Sequence, residues 1–290
     1  MTSRLTQGGT DSRRVYAVIA AAGRGTRLGA ELPKAFVPLR GRSLMERSVR
    51  AMITAAVVDE IIVVTSPDMA EYAAALLRKA GLPPVDAAAA ADSGAARENG
   101  EANADRAHPE VPIRIVHGGG ERADSVWCGL QSIAADDGVV IVHDSARALT
   151  PPGMIARVVR KVLDGSPAVV PVVPVADTIK RVATAPEGSG EAGEMVVDTP
   201  ERATLRAVQT PQGFDLRLLR EANRKYFSGP TVFTATDDAS LMEWFGVPVA
   251  CVQGDPMALK ITTPLDLVLA QRVTDEAEPT IFEVPSERSR

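Results

Sequence analysis

The chain has 290 residues, 45% of them hydrophobic and only 4% aromatic, a globular composition far from disordered or fibrous sequences. Its 32 basic and 37 acidic side chains leave a formal net charge of −5, which argues against a nucleic-acid binder with a basic face. No apolar run reaches membrane-spanning length and Met1–Arg14 has no secretory h-region, so a soluble, cytoplasmic protein is expected, with no membrane partner.

In chain order, residues 1–14 read as a disordered tail and residues 15–275 as a single domain. Val15–Ala21, Glu60–Thr65, Ile113–Val116, Val139–His143 and Ala168–Pro174 are short Val/Ile-rich runs without period-two alternation, the pattern of strands buried on both faces. Helix-period stretches lie between them. Ser43 followed by Glu46 reads as a capping box, and Ser66-Pro67, Thr150-Pro151 and Thr263-Pro264 place a cap residue before a first-turn proline. Strand–helix–strand alternation predicts a doubly wound, mostly parallel, Rossmann-like α/β sheet. Cys128 and Cys251 sit among apolar residues and are expected to be buried thiols.

Two stretches break the rhythm. Ala87–Ala107 contains no Val, Ile, Leu or aromatic residue and is expected to be a disordered surface insertion. Asp177–Thr199 carries two β-prone segments around a Gly/Pro turn and is expected to project as a hairpin arm, with a second subunit as its simplest packing partner. Residues 276–290 read as a C-terminal tail.

The first strand ends in Ala21-Ala22-Gly23-Arg24-Gly25-Thr26-Arg27-Leu28-Gly29, with Pro33-Lys34 just beyond. At the carboxyl edge of such a sheet, small residues and glycines let backbone amides approach phosphate oxygens. The spacing fits neither the dinucleotide fingerprint nor the Walker pattern. Glycines alone would equally serve a plain tight turn. Arg27 and Lys34 weigh toward a triphosphate, which needs point charges as well as amides. Asp144 closes the strand Val139–His143 at the same edge, where one carboxylate plus substrate phosphates suffices for Mg2+. His143 reads as a core histidine. Lys260 alternates out of an apolar line between Leu259 and Ile261, which suits either a site lysine or an edge-guarding one.

These motifs, in order, resemble the cytidylyltransferases that act on 2-C-methyl-D-erythritol 4-phosphate in non-mevalonate isoprenoid synthesis, a branch of the nucleotide-diphospho-sugar transferase type. The resemblance runs from Val15 to Arg272, through the glycine loop, Gly118–Val126, Val142–Arg147, Asp177–Lys180, Gln209–Gln212, Thr236–Asp238 and Leu259–Pro264. It implies transfer of CMP from CTP, with magnesium, in a homodimer joined through the 177–199 arm. It implies catalytic roles for Arg27, Lys34 and Lys260. Nucleotide binding falls to Ala21, Ala22, Gly23, Gly25, Gly119, Gly120 and Ser125, the last three at the cytosine ring. Metal contact falls to Asp144, and acceptor binding to Asp144, Arg147, Thr178, Arg202, Thr236 and Lys260, with Thr178 and Arg202, in and just after the arm, supplied by the partner. Gly120, Ala148 and Ala258 stand where relatives often carry Asp, Pro and Asn. Glu121 and Arg122 are expected to serve a helix start or a surface pair, outside the site. A ribitol 5-phosphate cytidylyltransferase is the nearest alternative, and a catalytically silent nucleotide-binding subunit a more distant one.

Overall fold

Valine- and isoleucine-rich runs build the middle of the sheet, and their pleat explains why no run alternates. The computed structural model describes residues 13–23, 32–85, 111–184, 193–230 and 233–276. Strand β1 (Val15–Ala20) is followed by a 3-10 turn (Lys34–Phe36), the short strands β2 (Pro38–Leu39) and β3 (Arg42–Ser43), and helix α1 (Leu44–Thr54). Then come β4 (Glu60–Thr65), α2 (Ala70–Lys79), β5 (Ile113–His117), α3 (Arg122–Ser132), β6 (Val139–Asp144), α4 (Pro152–Leu163) and β7 (Ala168–Pro174). The hairpin β8 (Arg181–Thr184) and β9 (Glu194–Asp198) precedes β10 (Arg206–Val208), β11 (Gln212–Asp215), α5 (Leu216–Phe227), α6 (Asp238–Trp244), β12 (Ala250–Gln253) and α7 (Pro264–Glu276).

The main sheet has the order β10-β7-β11-β6-β1-β4-β5, with β12 also on β7. β1 pairs in parallel with β4 and β6, β4 with β5, and β12 with β7, whereas β11 runs antiparallel between β6 and β7. Successive side chains point to opposite faces. Val15, Ala17 and Ile19 pack with α1, α2 and α4 residues such as Met45, Val49, Leu77 and Val158, while Tyr16 and Val18 pack with Val126, Leu130, Leu219 and Met242 of α3, α5 and α6. Each strand residue therefore has a core of its own to fill, and both cores are apolar. A smaller cluster of Val37, Leu39, Leu44, Leu149, Ile261 and Ala270 seats α7 against the start of the domain.

Several local expectations change. Ser43 accepts from the Glu46 amide at 3.1 Å, but the Glu46 carboxylate turns to Arg50 at 2.9 Å instead of closing the box. Ser66 opens only a 3-10 turn (Pro67–Met69) and makes no side-chain cap, while α4 starts at Pro152 behind Pro151. Thr263 does cap, accepting from Asp266 N at 3.3 Å. Cys251 is exposed because β12 lies at the outer edge of the sheet, and Cys128, on α3, is only half-buried. The domain is already held at Arg13, whose guanidinium reaches Asp215 and the Gly138 carbonyl. The insertion 87–107, the tail 277–290 and residues 1–12 lie outside the described residues. Among the described residues, no helix is long and apolar enough to cross a membrane.

Candidate active site

β1, β5 and β6 all deliver their carboxyl ends to one cleft of about 290 Å3. Its first wall is the chain leaving β1: Ala20, Ala21, Ala22 and Gly23 line it, and Ala21 N stays tied to the Val64 carbonyl at 2.8 Å. Gly25 and Arg27 lie outside the described residues. The opposite wall is the glycine turn after β5. A Cβ on Gly118 would lie 2.6 Å from Ser125 Oγ, and one on Gly119 would lie 2.3 Å from Asp124 Cβ. Those positions must stay without side chains for α3 to begin so close to the turn. The Glu121 and Asp124 carboxylates cap the helix reciprocally, with Glu121 N donating to Asp124 Oδ2 at 2.9 Å. Gly119, Gly120 and Ser125 line the cleft, and Ser125 Oγ donates to the Glu121 carbonyl at 3.0 Å.

Charge gathers around Asp144, the last residue of β6. Lys260 Nζ lies 2.8 Å from its Oδ2, and Arg122 Nε lies 3.0 Å from its Oδ1. Arg122 also reaches Asp238 at 2.9 Å through Nη2. Burial pushes the Asp144 carboxyl up, but the Arg122 guanidinium and Lys260 ammonium outweigh it and hold it well below the usual carboxylate range. Asp238, fully buried and sharing Arg122, is raised by burial above all. Lys34, presented by the 3-10 turn, lines the same cleft. Beneath Asp144, burial drives the His143 imidazole down to about 4, so it stays neutral at physiological pH. Thr210 Oγ1 accepts from Asp144 N at 3.1 Å and lies 3.1 Å from His143 Nδ1. The hydroxyl can still donate to or accept from Nδ1, so it braces a neutral imidazole in either tautomer.

The structure therefore brings Ala21, Ala22, Gly23, Lys34, Gly119, Gly120, Ser125, Asp144 and Lys260 together. Arg122 corrects the sequence reading. It is no surface pair but a bridge between two buried carboxylates on the cleft wall, because the first turn of α3 folds its side chain back toward β6. Its place one residue after the helix cap was the signal that could have found it. The other acceptor-side residues, Arg147, Thr178, Arg202 and Thr236, do not line the cleft. Arg147 donates to the carbonyls of Ala258 at 2.7 Å and Val208 at 3.2 Å. Thr236 lies in an adjoining small recess that shares Arg122, and Asp237, not Thr236, caps α6. Thr178 is exposed. Arg202 is exposed, donates to Ala176 O at 2.8 Å and lines an open groove with Pro174 and Arg206.

A glycine turn at a helix start and fixed cations around one carboxylate, at the carboxyl edge of an α/β sheet, are the frame of a nucleotidyltransferase. The profile of the family IspD, 2-C-methyl-D-erythritol 4-phosphate cytidylyltransferase, matches residues 15–276. The enzyme of that name from Corynebacterium efficiens is 62% identical over 275 residues, covering 94% of this chain and 98% of the relative. The one from Nocardia farcinica is 45% identical, covering 90% and 94%. Among solved structures, 2-C-methyl-D-erythritol 4-phosphate cytidylyltransferase from Thermus thermophilus is 31% identical with a TM-score of 0.59, covering 90% of this chain and 99% of that one. The 4-diphosphocytidyl-2C-methyl-D-erythritol synthase of Anaerococcus prevotii is 25% identical with a TM-score of 0.69, covering 91% and 100%. The chain belongs to the IspD family of cytidylyltransferases.

Proposed function

We propose that the chain transfers CMP from CTP to 2-C-methyl-D-erythritol 4-phosphate, releasing pyrophosphate and forming 4-diphosphocytidyl-2-C-methyl-D-erythritol. The observation that carries this reading is the cation cluster of Lys260 and Arg122 on Asp144, in one cleft with Lys34, residues 20–23 and the glycine turn after β5. The acceptor monophosphate oxygen attacks the α-phosphorus in line and pyrophosphate leaves opposite, so no protein nucleophile is needed, only positioning and charge neutralisation. Lys34 and Arg27 neutralise the leaving pyrophosphate, and Lys260 the α-phosphate. The amides after β1, including Gly25, hold the triphosphate, and the turn at Gly119 and Gly120 with Ser125 holds the cytosine.

Asp144 suits Mg2+ on its donor chemistry. Its carboxylate is ionised, its oxygens are hard donors, and Arg122 and Lys260 occupy only part of its acceptor capacity. Magnesium held there with the phosphates would supply charge neutralisation of the triphosphate.

The acceptor side is shared between subunits in this reading. Asp144, Arg147, Thr236 and Lys260 of one chain meet Thr178 and Arg202, in and just after the partner's arm, in a homodimer. The isolated hairpin supports this, since β8 and β9 pair only with each other and expose every residue among those described.

A pyrophosphate-release assay tests the reaction, using CTP, ATP, GTP and UTP against methylerythritol 4-phosphate and ribitol 5-phosphate. Turnover with CTP and methylerythritol 4-phosphate is expected. Preference for ribitol 5-phosphate would move the protein to another polyol, and no turnover at all would leave a silent nucleotide binder.

A further inference from the structure

The segment Gln209-Thr210-Pro211-Gln212 joins β10 to the first residue of β11, buried throughout and outside the cleft lining. Each of its polar side chains grips a different piece of the site. Gln209 clamps the main chain of Asp255, its Oε1 accepting from Asp255 N at 3.0 Å and its Nε2 donating to Asp255 O at 2.8 Å. The approach is so close that a Cβ on Gly254 would lie 2.3 Å from Gln209 Oε1. Asp255 in turn caps the 3-10 turn Pro256–Ala258 that leads to Lys260, accepting from Met257 N at 2.8 Å. Thr210 holds the Asp144 amide and is itself braced on His143. Gln212 donates to Asp237 Oδ2 at 2.6 Å and accepts from Ala239 N at 3.1 Å, which fixes the start of α6, where Asp238 holds Arg122.

Arg122, Asp144 and Lys260 come from distant parts of the chain, so their mutual spacing is only as good as the anchoring of the three segments that carry them. Burying polar side chains costs free energy unless each is fully paired, and here the pairs run to main chain or to residues adjoining the site. We propose that Gln209, Thr210 and Gln212 are positioning residues, a single template that registers the Lys260 loop, the Asp144 strand end and the Arg122 anchor against one another for the transfer reaction.

This rests on the proposed reaction for its kinetic readout alone. Gln209→Leu should lower kcat by about tenfold to a hundredfold, the cost of misplacing one group by an ångström, with CTP affinity held. In a Lys260→Ala background the same change should lower kcat by less than about threefold, because the group that Gln209 positions is gone. Hydrogen exchange of residues 254–260 should quicken by about tenfold or more in Gln209→Leu while the α2 amides stay unchanged. Thr210→Ser should retain activity and Thr210→Val should lose it. Equal losses in both Lys260 backgrounds, wild-type kcat in Gln209→Leu, or exchange that rises everywhere would overturn the proposal. If Gln209→Leu does not fold, the Thr210 pair decides, and equal activity of the Ser and Val variants overturns it. Wild type that releases no pyrophosphate with any acceptor would sink the reaction instead, while the exchange pattern still judges the positioning.

Discussion

The cleft and the arm are opposites in construction. Asp144 is held from every side: its amide by Thr210, its oxygens by Arg122 and Lys260, its strand by parallel pairing to β1. The arm touches little of its own chain and shows apolar surface to water, with Val196 58% and Val197 60% exposed. A hairpin of two short strands is marginal alone in water. Among the described residues, the cleft around Asp144 is thus braced within one fold, whereas the arm, to which the proposed reading gives the acceptor, has side chains with few neighbours. In that reading, rigidity falls where charge must be pre-aimed and incompleteness where a second copy closes the site.

The largest effect expected on this comparison is at Lys34. Lys34→Ala should lower kcat by about 10²–10³, the size of losing one preorganised electrostatic donor. A raised KM with kcat within threefold would mean that Lys34 binds ground and transition states alike.

Arg202→Ala should raise the KM for the acceptor by about tenfold to a hundredfold, the worth of a charge-assisted hydrogen bond, and leave CTP binding intact. Mixed with Lys34→Ala subunits it should regain activity, since one of the two sites in each mixed dimer is then wholly wild type. Exchanged dimers as inactive as both parents would assign the arm to its own chain.

The core beneath the cleft should show itself in acid. His143 has its folded value depressed from 6.5 to about 4, so below pH 6.5 the unfolded chain binds a proton that the folded chain refuses. Stability therefore falls as pH drops from 6.5 toward 4, by about 2 kcal/mol at pH 5 from this group. The depressed Asp144 adds to the loss only at still lower pH, as the carboxylate is protonated. Denaturant titrations of wild type and His143→Gln between pH 7 and pH 5 check this, and parallel pH slopes would refute it.

The smallest effect is on the arm's apolar face. Val197→Asp should leave Tm within about 2 °C, since an exposed site contributes little to the core. The sedimentation profile should shift toward monomer. An unchanged dimer would show that the arm does not hold it together.

The strands were legible because residues buried on both faces leave unbroken Val/Ile runs, and β4 and β7 have the bounds that their sequence predicts. Lys34, Asp144 and Lys260 could be picked out because each stands at a strand end or just after a proline turn. β10 and β11 could not, being three and four residues long with Pro211 between them. Arg122 was misread because charge near a helix start has a routine explanation in capping. The roles of Gln209 and Gln212 depend on contacts 46 and 25 residues away, which no local pattern encodes.

The double grip on Asp144 gives the cleft the character of an ion exchanger. Lys260 and Arg122 already possess a counter-ion, so an arriving phosphate must displace a carboxylate rather than fill a bare positive hole. A small monoanion gains little from that swap. A polyphosphate that also collects the glycine-turn amides and Lys34 gains several contacts for one exchange. Ordinary cellular anions should therefore be weak competitors, and the cleft should sort its ligands by how many oxygens they bring at once.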